Sequence, residues 1–160
     1  MRQGWPALNI SIYFIILLWS LPIKAASTTR RWHMGWGGFV AVGVGAAAGA
    51  WMRWGLSVLF NALVPALPLG TLIANLSGGY MMGLAMGVIA SNITLSPELR
   101  LLLTTGFLGG LTTFSTFSAE AAALLSRGQY GWASAHVLLH VCGSLTLTIL
   151  GILTIQLLRS

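Results

Sequence analysis

The chain has 160 residues, 56% of them hydrophobic and only 6% charged, with eight Lys and Arg against two Asp and Glu for a net charge of +6. Soluble domains carry about a quarter of their residues as charges, so a water-soluble globule is excluded, and with it a soluble catalytic or recognition domain. The basic residues are scattered, which suits head-group anchors at helix ends and not a nucleic-acid surface.

Residues 1–33 differ from the rest. "PALNISIYFIILLWSLPI" has an apolar centre of about 14 residues before Pro22, short of the roughly 20 that a helical span needs. Three readings stay open: a signal-like leader with a weak "KAAS" cleavage site, an extra surface-seeking helix, or a translation start at Met34 that leaves the leader out. Asn9-Ile10-Ser11 and Asn92-Ile93-Thr94 match the glycosylation sequon, too short a pattern to carry a role.

From Met34 onward the pattern predicts one domain, 34–160, of four spanning helices: about 36–60, 69–90, 98–125 and 131–158. "NALVPALP", "SNITLSPE" and "SRGQYG" separate them, and loops this short predict a tight antiparallel bundle. Gly45 and Gly49 on the first helix, and Gly79, Gly83 and Gly87 on the second, recur every four residues. Small residues at that spacing let backbones approach closely where lipid supplies no hydrophobic drive. Beyond Met34 the basic residues divide two against two, Arg100 and Arg159 on one side of the membrane and Arg53 and Arg127 on the other. With no positive-inside bias the chain is expected to insert both ways and to assemble as an antiparallel dual-topology homodimer. A translated leader, which adds Arg2, Lys24, Arg30 and Arg31, weakens that expectation.

The third span contains "GFLGGLTTFSTFSAE" (106–120). Gly109 and Gly110 are poor helix residues, and Thr112, Thr113, Ser115 and Thr116 offer competing side-chain hydrogen bonds. The stretch predicts a break in the helix near mid-membrane. Irregular backbone at that depth is tolerated only inside protein or along a cavity, and its freed carbonyls suit a small hard cation.

Polar stripes converge on this point. Thr71, Asn75 and Gly78 or Gly79 share a face of the second helix; His136, His140, Ser144 and Thr148 recur every four residues on the fourth; Phe114 and Phe117 face the same way on the third. A narrow conduction path explains these stripes better than interhelical glue. It has no ring of carboxylates; its amide, hydroxyl and imidazole donors, aromatic ring edges and Arg53 at a mouth suit a small anion. The two histidines are spaced for a metal, but the sequence offers no third ligand and lone Cys142 adds none, so pore lining is the expected role. Glu120 and Arg127, near the end of the third helix, read as partners of nearby groups.

On "GGFVAVGVGAAAGAWMRW", "PLGTLIANLSGGYMMGL" and above all "GFLGGLTTFSTFSAE", the chain resembles the Fluc/CrcB fluoride channel family from about Gly38 to Gly151. The resemblance implies a non-enzymatic, multi-pass protein of the bacterial inner membrane. It would be an antiparallel homodimer with two fluoride pathways that protects the cytoplasm by passive efflux, taking no organic substrate or nucleic acid. It further implies a structural Na+ on the Gly109 and Thr112 carbonyls, ring edges of Phe114 and Phe117 facing F-, and Asn75 as the pore asparagine. Ser115 and Thr116 follow the break, Ser144 and Thr148 continue the track, Glu120 matches the family's acid and Arg53 its basic residue on the first helix. Two departures stand out. His136 and His140 replace tyrosine and serine, so flux is expected to vary with pH, and the leader is additional. A small dual-topology multidrug exporter is the rival, but it needs a carboxylate in the first helix, where this chain has Arg53 and no acid.

Overall fold

The computed structural model describes residues 35–64, 66–91 and 95–159; the leader reading of 1–33 and both sequons rest on residues outside these. The described chain is all helical. It comprises α1 (Trp36–Phe60), α2 (Leu69–Ala90), α3 (97–111), α4 (Phe114–Ser126) and α5 (Tyr130–Leu157). Three of these, α1, α2 and α5, are long and apolar enough to cross a membrane. The predicted third span is present as α3 and α4, two rods separated by Thr112 and Thr113.

Each helix end has a local cause. Asn61, just past α1, turns its Oδ1 onto the first turn of α2, accepting from the Gly70 and Thr71 N–H groups at 2.8 and 3.3 Å. One amide thereby satisfies two donors that a helix start leaves open. Ser96 caps α3 by accepting from the Leu99 N–H at 3.2 Å, with Pro97 in the first turn, where its missing N–H does no harm. Gly128, at φ 70°, closes α4 in the left-handed conformation that glycine takes without strain and turns the chain into α5.

The interior of α3 departs from expectation. Its first turn, Pro97–Arg100, is α-helical, Leu101–Leu108 is a wider π-helix, and Gly109–Leu111 returns to α geometry. This stretch lies against α1 almost backbone to backbone. A Cβ on Gly49 would run into the Phe107 carbonyl, one on Gly45 into the Leu102 carbonyl, and one on Gly110 into the Ala46 carbonyl. On the other side of the bundle α2 packs on α5 through Gly79, Gly83 and Gly151, where a Cβ on Gly83 would strike the Thr148 carbonyl. The spacing read as close packing is therefore used for it. Ala74, Leu108 and Leu111 form the buried apolar core, joined by Leu56, Met81, Met82 and Phe107. Outward faces carry Trp51, Trp54, Leu138 and Leu145, well exposed, as expected where the surrounding solvent is hydrocarbon.

Candidate functional site: a broken helix beside a Glu and His cluster

Helix α3 stops at Leu111 because Thr112 (φ −81°, ψ 152°) and Thr113 (φ −148°, ψ 116°) are extended. The break thus falls within the predicted stretch 106–120, on its threonines and not on its glycines. Gly109 is helical (φ −64°, ψ −35°), and Gly110 serves the close approach to Ala46. Two extended residues interrupt the helical hydrogen-bond ladder, and each freed group needs a partner. Asn75 on α2 supplies two. Its Oδ1 accepts from the Thr113 N–H at 2.7 Å and its Nδ2 donates to the Thr113 carbonyl at 3.1 Å. The Thr113 hydroxyl accepts from the Thr116 N–H at 3.1 Å, starting α4, and donates to the Thr116 hydroxyl at 3.0 Å. Ser115 Oγ lies 3.2 Å from the same hydroxyl. Thr112 turns back, its hydroxyl donating to the Leu108 carbonyl at 2.8 Å. From α1, Arg53 Nε–H donates to the Gly110 carbonyl at 3.1 Å. Arg53 was expected to lend charge to a mouth; its Nε is tied to the last helical turn before the break.

Past the break four rings cluster, Phe117 and His136 stacked and the other pairs tilted. Phe117 is buried, its centroid 5.2 Å from His136 with planes 16° apart and 4.9 Å from His140, and the two imidazoles are 4.4 Å apart. Phe114 lies 5.5 Å from Phe117 and is 79% exposed. Both histidines are buried. A carbonyl only accepts, so the 3.3 Å contact between His136 Nε2 and the Phe117 carbonyl places a proton on Nε2, which in a neutral ring leaves Nδ1 as the lone pair. Thr113 fixes the orientation of the Asn75 amide, so the NH2 donates to His140 Nδ1 at 3.1 Å and a neutral His140 carries its proton on Nε2.

Glu120 completes the group. Its Oε1 accepts from the Thr71 hydroxyl at 2.7 Å, and its Oε2 stands 3.7 Å from His136 Nε2. One ligating atom from each of Glu120, His136 and His140 lies within 4.8 Å of one from each of the others. The three residues can hold a cation, and Glu120 is the third ligand the sequence reading lacked. Among the described residues the buried side-chain atoms without a hydrogen-bond partner are Glu120 Oε2, His136 Nδ1 and His140 Nε2, one from each member of this cluster. A buried polar atom left unmade costs about 1–3 kcal/mol, so three in one place mark a site built for something other than packing.

The structure brings Asn75, Thr113, Thr116, Phe117 and His140 together, with Phe114 and Ser115 on the exposed side. Ser144 and Thr148 lie further along α5, against Gly79. The Thr148 hydroxyl reaches the Gly79 and Ser144 carbonyls at 3.0 and 2.8 Å. Gly109 faces open space and Thr112 is half-buried. Sequence reasoning missed the pairing of Thr71, Glu120 and His136. Glu120 follows Phe117 by three residues, hence shares its helix face, and that spacing was the available signal.

Residues 40–152 match the family model described as CrcB-like protein, Camphor Resistance (CrcB). The chain is 65% identical over 121 residues to the fluoride-specific ion channel FluC of Cupriavidus taiwanensis, covering 76% of this chain and 96% of that protein. It is 59% identical over 119 residues to FluC of Ralstonia nicotianae, covering 74% and 94%, and 56% identical over 115 residues to FluC of Pseudomonas putida, covering 72% and 91%.

Proposed function

This chain belongs to the CrcB family of fluoride channels, a multi-pass protein of the bacterial inner membrane and not an enzyme. On that premise we propose that it conducts fluoride selectively and passively, lowering cytoplasmic fluoride through narrow polar pathways in an antiparallel homodimer. One observation carries the reading: the exposed Phe114 ring stands beside buried Phe117 at a helix break that Asn75 holds open. What sets Phe114 apart from the lipid-facing aromatics is its place at the break, beside buried Phe117 and the polar groups around Asn75. A second copy, inverted, supplies a facing surface, and the two-against-two division of Arg53, Arg100, Arg127 and Arg159 permits both insertions. The broken rod, residues 97–126, is then the fourth crossing.

Dehydrating a small anion is costly, and fitted donors must replace its water. Ring edges of Phe114 and Phe117 carry partial positive charge, and His140 presents an Nε2–H beside them. Ser115 and Thr116 add hydroxyls on the exposed side of the break, and Ser144 and Thr148 continue a polar line along α5. Arg53 keeps the last turn before the break in place and adds positive charge near it. The Gly109 carbonyl belongs to the final turn before the break and the Thr112 carbonyl to the break itself, hard oxygens that fit a sodium ion better than the imidazoles of the Glu120 cluster do. A sodium ion held by these carbonyls would offset the repulsion among their oxygen dipoles. The multidrug exporter reading is disfavoured because α1 has no carboxylate.

Purified protein in liposomes, with no proton gradient, tests the reading. Fluoride should escape rapidly while chloride is retained. Equal rates for the two anions, or no fluoride release, would reject it.

A further inference from the structure

We propose that Glu120, His136 and His140 form a binding site for a divalent transition ion of the Zn2+ class, separate from the carbonyl oxygens of the break. The three residues come from two helices, with the histidines one turn apart on α5 and Glu120 on α4. Their ligating atoms already lie within 4.8 Å of one another. A tetrahedral ion with bonds of about 2.0–2.2 Å sets neighbouring ligands about 3.4 Å apart, so the set closes by about an ångström through side-chain rotation. Imidazole with carboxylate is the donor mixture of zinc and its first-row neighbours and not of sodium or calcium.

The surroundings are those of ligands already oriented. His136 holds Nε2 3.3 Å from the Phe117 carbonyl and 3.7 Å from Glu120 Oε2, and its Nδ1 has no hydrogen-bond partner; whichever nitrogen ligates, the other carries the proton. Glu120 has Oε1 fixed by Thr71 and Oε2 without a partner. His136 is fully buried, while Glu120 keeps 16% side-chain exposure, the side from which an ion enters. His140 is the third ligand and the one that must adjust. Ligation through Nε2 moves its proton to Nδ1, opposite the Asn75 NH2, which now donates there. Metal binding therefore loosens the Asn75–His140 contact. Three protein ligands leave a fourth position for water or a small anion.

Binding does not depend on the transport reading; a block of fluoride flux does. Co2+ and Zn2+ titrations on the purified full chain in detergent provide the test. The proposal expects one Co2+ per chain, the strong visible bands of a four-coordinate nitrogen and oxygen site, displacement by Zn2+, and at least tenfold weaker binding in Glu120→Gln and His136→Gln. His140→Gln should bind several-fold more weakly. X-ray absorption of the Zn2+-loaded wild type, which needs no variant to fold, should show two imidazoles and a carboxylate. Absence of the visible bands in folded wild type, an all-oxygen shell, or unchanged affinity in His136→Gln would overturn the site, and unchanged affinity in His140→Gln would remove His140 from it. In liposomes Zn2+ should slow fluoride efflux. Binding without slowing would refute the block while leaving the site, whereas fluoride leakage at the rate of empty liposomes would fail the transport reading alone.

Discussion

Residues 101–111 meet α1 through bare backbone, with Gly45, Gly49 and Gly110 set where any Cβ would strike a carbonyl across the seam. The seam that α2 and α4 make with α5 is instead built of side chains that bond to backbone and to one another: Asn75 to Thr113 and His140, Thr71 to Glu120, His136 to the Phe117 carbonyl. Both seams bring helices close without help from water, by different means. The glycine seam fixes where the broken rod lies. The polar seam holds the three buried side-chain atoms that, among the described residues, have no hydrogen-bond partner. The first is scaffold and the second is site.

Substitutions should separate the two. Gly49→Val, which pushes side chain into the Phe107 carbonyl, is expected to destabilise by at least about 3 kcal/mol, read as a lowered melting temperature and lost dimer in detergent. Asn75→Ala strands the Thr113 N–H and carbonyl and leaves His140 Nδ1 without its donor; about 3 kcal/mol of stability and more than tenfold of fluoride flux should go together. If flux fell with no change in melting, Asn75 would be acting on the ion and not on the break. Arg53→Met keeps the apolar stem and removes the donor to Gly110, for a loss of about 2 kcal/mol in the same melting assay. Thr113→Val, which removes the cap of α4, should cost about 1 kcal/mol, the smallest of the set.

Legibility in the sequence followed the same division. Hydropathy and glycine spacing gave the rods and the close approaches, because lipid-facing length and small-residue period are local properties. The break was legible as a region, since glycines and hydroxyls both oppose a continuous helix. Its place was not, because Gly110 is claimed by Ala46 of another helix and the extended pair is selected by Asn75, 38 positions away in the chain. Nothing local announced the π-helix at Leu101–Leu108. The histidine pair was visible as an i, i+4 spacing, but its third partner comes from α4, and a single-helix reading cannot see across helices.

Fluoride efflux from liposomes containing Phe114→Ile tests the central claim most directly, since Phe114 is 79% exposed and its ring lies 5.5 Å from Phe117 at the break. Isoleucine keeps apolar bulk and removes the ring edge. The polar seam as conduction path predicts a fall in flux of tenfold or more with melting temperature and dimer unchanged. Wild-type flux in this variant would contradict it.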